Sequence, residues 1–466
     1  MDTKTKTKTE AKTKTEAKTK TDGADTGHKK NWREVWASVD DIMTFLSEHV
    51  FLRYNMVTRR TEVHPLTQGD SIEVGDDGLL RLVDAPAYKE FSTDPKDPRY
   101  WQPITDRIVN TLWKDMSKQE SVRIQDIHRI IDSDYVPAYD PFRSYLDSLP
   151  PWNGTDDYIM ELSLSVNVKG DADEQIRFYQ YLRKWLVAMV AGWVDDDVVN
   201  NVILVLIGPQ GSYKTTWFNY LLPPPIRQYF YTKTNANRMG RDDLLTLAQY
   251  GLVCCEELDT MRPSELNQLK AAVTMPSIDE RAAYAHYHEH RRHIASFCGT
   301  GNNVQFLSDP TGNRRWLPFE VESIDSPRDK PFNYDGIYAQ AYRLYRDGFT
   351  FWFTQDEVRQ LARHNAYYET PRLENELVDQ YFRKPTPSEP GEFMPVSVAL
   401  QIIGSTLTQK LSAIMVGRAF KDMGFQSRKS NQVRGYIVVR RSSEEIAQRR
   451  QLLASGTDGT DGTEVF

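Results

Sequence analysis

Six consecutive apolar residues, Val202-Ile203-Leu204-Val205-Leu206-Ile207, run without a break into Gly208-Pro209-Gln210-Gly211-Ser212-Tyr213-Lys214-Thr215-Thr216. A short, β-branched run stopped by glycine suits a strand buried on both faces of a parallel sheet. Trp217, Phe218, Tyr220 and Leu221 then return at helical spacing. Strand, glycine-bearing loop, Lys-Thr and helix is the phosphate-loop arrangement, in which backbone N–H groups and a helix N-terminus face phosphate oxygens. Lys214 would reach the β- and γ-phosphates of ATP, and the Thr215 hydroxyl would ligate Mg²⁺. Gly208, Gly211, Ser212, Tyr213 and Thr216 complete the nucleotide-binding set. The full pattern has glycine where this chain has Tyr213, a bulky residue that either crowds the loop or lies over the nucleotide. The competing reading is a strand-turn-helix with an incidental Lys-Thr pair.

Two later apolar runs end in polar residues of the same chemistry. Leu252-Val253-Cys254-Cys255 leads into Glu256-Glu257-Leu258-Asp259. Carboxylates at the C-terminal end of a parallel strand stand where such sheets bind ligands. Glu256 is assigned to the metal and Glu257 to the attacking water, with the exchange of the two left open. The run Ile294-Ala295-Ser296-Phe297-Cys298 leads into Gly299-Thr300-Gly301-Asn302-Asn303, which makes Asn302 a γ-phosphate or water contact. The turn Asp309-Pro310-Thr311-Gly312-Asn313-Arg314-Arg315-Trp316 presents two arginines. Arg314 or Arg315 would reach a neighbouring subunit's γ-phosphate, or else simply pair with surface carboxylates.

Around this core the 466 residues divide unevenly. Residues 1–30 repeat Lys-Thr with occasional Glu-Ala, a composition that cannot form a core, and serve as a nucleic-acid arm or a solvating tail. Residues 31–135 are expected to form an α+β accessory domain. Its first helix is capped by Asp40 or Asp41 and carries Ile42, Phe45 and Leu46; residues 66–98 are irregular. Residues 136–385 hold the ATPase domain with helical flanks, including a long helix at about 172–193. Asp195-Asp196-Asp197 reads as a solvated turn rather than a metal site. Residues 443–466 read as a flexible tail.

Residues 392–442 are expected to form a winged-helix module: a helix up to Gly404, a short one from Thr406 to Ser412, a third from Ala413 to Met423, then a hairpin. Between Phe393 and Arg441 eight bases face Asp422 alone, in a chain of net charge -7. Arg428, Lys429 and Arg434 lie in the hairpin and would contact duplex DNA. The alternative is a protein-docking module with solvated bases. No apolar run approaches the ~18 residues of a membrane span, and no apolar segment marks a secretory leader. Three cysteines inside apolar runs read as reduced core residues, so a cytoplasmic protein is expected.

Taken together, the stretches 141–154, 208–216, 257–259, 299–303 and 309–316 resemble the virulence-associated protein E family of phages and mobile elements. The ATPase core of that family is similar to superfamily 3 helicases and related AAA+ proteins. The resemblance covers roughly residues 140–320, and Asp-Pro-Thr-Gly-Asn-Arg-Arg-Trp is its most specific element. The family commonly has glycine at the position of Tyr213. The resemblance implies a homo-oligomeric ring, possibly a hexamer, with ATP between subunits. It also implies a hairpin lining a central channel between the acidic and asparagine motifs. There Tyr284, Arg291 and Arg292 would contact single-stranded DNA, and the alternating His286, His288 and His290 face solvent rather than zinc. No primase metal pattern occurs in 31–135. The expected function is an ATP-driven DNA helicase or replication-initiation motor. The rivals are a DNA-binding module that uses ATP only to assemble, and a small-molecule P-loop kinase.

Overall fold

The computed structural model describes residues 36–65, 72–74, 80–82, 101–233, 241–280, 289–307, 313–370, 373–404, 411–430 and 433–455. At its centre lies a six-stranded sheet. Its order is Val166–Val168, Trp316–Ile324, Ile203–Ile207, Ser296–Gly301, Leu252–Cys255, Phe230–Lys233. All neighbours pair in parallel except Val166–Val168, which runs antiparallel to Trp316–Ile324. The continuous apolar run thus becomes an interior strand, with each residue from Ile203 to Ile207 fully buried.

Side chains alternate between two cores. Leu204, Leu206 and Phe319 face one layer with Trp185, Trp217 and Phe218; Ile203, Val205 and Ile207 face the other with Phe297, Leu258 and Trp316. The helix Ala172–Val194 starts where the Asp171 carboxylate accepts from the Glu174 N–H. Its Trp185 and Trp193 indoles donate to the Phe297 and Gly251 carbonyls, at 3.0 and 3.3 Å, which fixes the helix to the sheet through otherwise buried polar groups. Gly251 has no room for a side chain: a Cβ there would stand 2.5 Å from Phe142 Cζ, so the helix Pro141–Asp147 docks only on a glycine.

Upstream, the strands Gln102–Pro103, Arg60–Pro65, Val50–Asn55 and Ala138–Tyr139 form a second sheet in that order. The helix Val39–His49 is capped by Ser38, with Asp41 returning a bond to the Ser38 N–H; the expected cap at Asp40 or Asp41 is therefore corrected by two or three positions. Ile42, Phe45 and Leu46 pack with Val109, Leu112, Ile127 and Ile130. The buried Asn55 amide joins this part to the core: its Nδ2 donates to Glu62 Oε1 and to the Tyr229 hydroxyl, both at 2.7 Å. Within 66–98, the strands Ile72–Val74 and Leu80–Leu82 pair antiparallel; the rest of that range, like 1–30, lies outside the described residues.

The C-terminal expectations need three corrections. The helix Leu373–Tyr381, assigned above to the ATPase domain, packs with the C-terminal cluster through Leu377, Val378 and Tyr381 against Phe420 and Tyr436. Ser443–Ser455 is a helix, not a flexible tail: Ile446 packs on the same cluster and Arg449 Nε donates to Asp379 Oδ2 at 2.5 Å. No helix occupies Leu411 and Ser412, and 405–410 lie outside the described residues. The remaining elements are Phe382–Arg383, Glu392–Pro395, Val396–Gly404, Ala413–Asp422, Ser427–Ser430 and Val433–Arg440, the last pairing antiparallel with each of the other three strands. Among the described residues no helix is long and apolar enough to cross a membrane, and no three or more His, Cys, Asp or Glu side chains are grouped to hold a metal ion.

Candidate functional site

Parallel pairing brings three strand ends to one edge. Ile207 stands beside Gly301, and Cys255 beside Gly299, so the 208–213 loop, Glu256 and Asn302 all leave the sheet on the same side. The Gly208 N–H donates to the Gly301 carbonyl at 3.1 Å, and a Cβ on Gly208 would lie 3.0 Å from the Val321 carbonyl. The loop therefore starts wedged between both neighbouring strands. It reverses through left-handed backbone at Gly211, φ 85°, and Tyr213, φ 61°. Tyrosine bears a steric cost there that glycine would not. Its side chain is 46% exposed, so the ring has not been buried in exchange.

The helix Lys214–Leu221 has no side-chain cap, which leaves its first N–H groups directed at whatever the loop encloses. The Lys214 ammonium is buried and donates to the Gly208 and Pro209 carbonyls, both at 2.7 Å, and to Ser212 Oγ at 3.2 Å. Burial holds its pKa below the ordinary lysine value, against the opposing pull of the Asp259 carboxylate. The Thr215 hydroxyl donates to Glu256 Oε1 at 2.8 Å. Hydroxyl and carboxylate oxygens together form the donor set that a hard divalent cation takes, so these residues fit Mg²⁺.

The acidic turn is placed by glycines on the neighbouring strand. Leu258 lies so close over Gly299 that a Cβ there would meet Leu258 Cδ1 at 2.3 Å. Glu257 adopts φ 55° and stays exposed at the start of the turn Leu258–Thr260. Asp259, to which the sequence alone assigns no role, accepts the backbone N–H groups of Asn302 and Asn303 at 3.2 and 3.1 Å. It thus yokes the asparagine turn to the acidic one. The Gly299-Thr300-Gly301 spacing was the available signal, since each glycine makes room for a residue of that turn.

Arg314 and Arg315 are not brought to this edge. They immediately precede Trp316, which pairs with Ile203 at the opposite end of the loop strand. Four residue steps of strand separate the two levels, about 13 Å. Arg314 is exposed and Arg315 half-buried; burial, then the Arg314 charge, lowers the Arg315 pKa. The turn is fixed by Asn313, whose Nδ2 donates to Glu369 at 2.6 Å and whose carbonyl accepts from Asn365 at 2.7 Å.

The expected hairpin exists as the antiparallel pair Ser277–Glu280 and Glu289–Arg292. Tyr284, His286 and His288 lie outside the described residues, and His290 bonds Asp279 at 2.7 Å. Arg292, expected to contact DNA, is engaged within the chain. Its guanidinium donates to Asp196 Oδ1 at 2.7 Å and to the Trp193 carbonyl at 2.5 Å, and stands 3.6 Å from Asp140. Arg291 is half-buried opposite Ile278. In the C-terminal hairpin Arg428, Lys429 and Arg434 are all exposed, and Lys429 pairs directly with Arg434 across the strands. Arg440 and Arg441 are instead matched by Glu392 at 2.6 Å and Asp379 at 3.9 Å, so the basic charge concentrates in the hairpin.

A family model, the virulence-associated protein E-like domain, matches residues 151–370. No curated protein matches the chain. Among solved structures, the apo structure of the NrS-1 C-terminal region (305–718) aligns at a TM-score of 0.44 and 10% identity, over 85% of this chain and 98% of that one. The A form of the same region aligns at 0.43 and 10%, with the same coverage.

Proposed function

Residues 151–370 of this chain are a virulence-associated protein E-like domain, and from that premise we propose that the protein is a P-loop ATPase of AAA+ type. It couples ATP hydrolysis to movement on DNA, as a helicase or replication-initiation motor of a phage or mobile element. One observation carries the reading: Lys214, the Thr215–Glu256 pair, exposed Glu257 and backbone-held Asn302 converge on one sheet edge beside an uncapped helix N-terminus.

In this reading the Lys214 ammonium leaves its loop carbonyls and donates to the terminal phosphates instead. Thr215 and Glu256 would hold Mg²⁺, which would supply charge neutralisation on the phosphates. Glu257 accepts a proton from the attacking water, and Asn302 orients that water or the γ-phosphate. Arg314 or Arg315, being at the far end of the strand, serves the site of an adjacent subunit in a ring, possibly a hexamer. The helices Leu373–Tyr381, Val396–Gly404 and Ala413–Asp422 with the basic hairpin follow winged-helix order and take duplex DNA. The cross-strand pairing of Lys429 with Arg434 supports this, since like charges face to face cost stability unless a polyanion lies over them. Single-stranded DNA contacts are assigned to Tyr284 and Arg291.

A second reading, ATP-dependent assembly with little turnover, draws on the strained Tyr213 in the loop. Steady-state ATPase activity, titrated with single-stranded DNA beside a Lys214→Ala variant, tests both. Turnover stimulated by DNA and lost in the variant is expected. Nucleotide binding without turnover would favour the assembly reading, and no nucleotide binding at all would overturn both.

A further inference from the structure

The loop strand Ile203–Ile207 has a different neighbour on each side. Glu256 and Asn302 follow strands on one side, so the terminal phosphates point that way. The nucleoside half must then leave toward Trp316–Ile324. On that side lies a cavity of about 600 Å³ lined by Glu320, Lys169, Glu174, His364, Tyr367 and Tyr368, the size of a small-molecule site. We propose that this cavity holds the base and ribose of the nucleotide, with the base stacked on Tyr367 and the ribose hydroxyls at the Glu320 carboxylate. The inference rests on the nucleotide reading above.

Glu320 stands in register with Ile207, the residue before Gly208. Its carboxylate is already oriented: Lys169 Nζ donates to Oε1 at 2.7 Å and the Tyr367 hydroxyl to Oε2 at 3.1 Å. An ionised carboxylate has about four acceptor positions, so two remain for a diol. Its backbone is held as well, the N–H donating to the Tyr368 hydroxyl at 3.1 Å and the carbonyl accepting from the Lys169 N–H at 2.8 Å. Behind it, His364 Nε2 and Glu174 Oε1 bond at 2.8 Å and close the inner wall. Tyr367 is 58% exposed, against 3% for the adjacent Tyr368, whose ring meets it edge-on at 84°. One tyrosine is thus braced by the other with a face left uncovered, which is the arrangement a base needs.

The test measures calorimetric affinity for ATP and for inorganic tripolyphosphate, which has no base or ribose. In Tyr367→Ala, ATP should bind about 10-fold more weakly or worse and tripolyphosphate unchanged; Tyr367→Phe should restore ATP binding. Because Tyr367 is exposed, the alanine variant is expected to fold, and its melting curve checks this. Unchanged ATP affinity in Tyr367→Ala, or an equal loss for tripolyphosphate, overturns the cavity assignment while leaving the phosphate site intact. Lys214→Ala should lose both ligands. Wild-type protein that binds neither ligand would remove the nucleotide reading, and this inference with it.

Discussion

The Thr215 hydroxyl donates to Glu256, 2.8 Å away, while Glu257, one residue on, turns through left-handed backbone into solvent. Two adjacent carboxylates are thereby given different surroundings. Glu256→Gln and Thr215→Val should each raise the Mg²⁺ concentration needed for tight ATP binding by about 10-fold or more. Glu257→Gln should leave that requirement alone and stop turnover. Mg²⁺ titrations of ATP affinity separate the roles, and a shift seen only in Glu257→Gln would exchange them.

Tyr213→Gly should stabilise the protein by about 1 kcal/mol, because glycine takes φ 61° without the steric cost a Cβ brings, less its own entropy loss. Urea unfolding measures this. ATP binding should persist in the variant. A loss of ATP affinity alongside greater stability would mean that the ring itself contacts nucleotide.

For the arginine turn the expected signature is complementation. Arg315→Ala should reduce turnover on the order of 1000-fold with ATP binding preserved. Mixed with Glu257→Gln subunits, it should regain partial activity, because some interfaces receive both intact groups. Mixtures that stay inactive at every ratio would place the arginine's action within its own subunit.

Lys214 gives a pH test. Burial holds its pKa below the ordinary lysine value. Phosphate binding uses the charged form, so ATP affinity should begin to fall, as pH rises, before an ordinary lysine would lose its proton. Lys214→Arg keeps its charge throughout that range and should abolish the decline, whatever its absolute affinity. A decline that persists in Lys214→Arg would assign the titration to another group.

Neutralising Arg428, Lys429 and Arg434 together should weaken duplex DNA binding and reduce the slope of log affinity against log salt by about 2 to 3. Basal ATP hydrolysis should be unaffected, since the hairpin is separate from the sheet edge that carries Lys214. An unchanged slope would assign the hairpin to a protein partner.

What the sequence discloses here follows from how locally each feature is determined. The buried strands before Gly208, Glu256 and Gly299 are legible because a parallel strand covered on both faces must be apolar throughout. The Lys214–Thr215 placement follows directly from one of them. Long-range pairing is not written locally. The Leu373–Tyr381 helix could serve either neighbouring core until Leu377 and Val378 meet Phe420. The Ser443–Ser455 helix carries charge around most of its surface, so no apolar stripe announces it. Arg292 looks like any basic residue beside aromatics; its partner Asp196 comes from 96 residues away. Asp259 is visible in the chain, but its grip on Asn302 and Asn303 depends on two strands lying side by side.

The anchoring of Arg292 has a mechanical meaning. The hairpin strand Glu289–Arg292 is bolted to the C-terminal end of Ala172–Val194 through the Trp193 carbonyl and Asp196, and that helix is itself fastened to the sheet by two indoles. The hairpin is thus held to the core by two routes, along the chain at 293–295 into Ser296–Gly301 and through Arg292 into the end of the long helix, which makes it a doubly tethered arm.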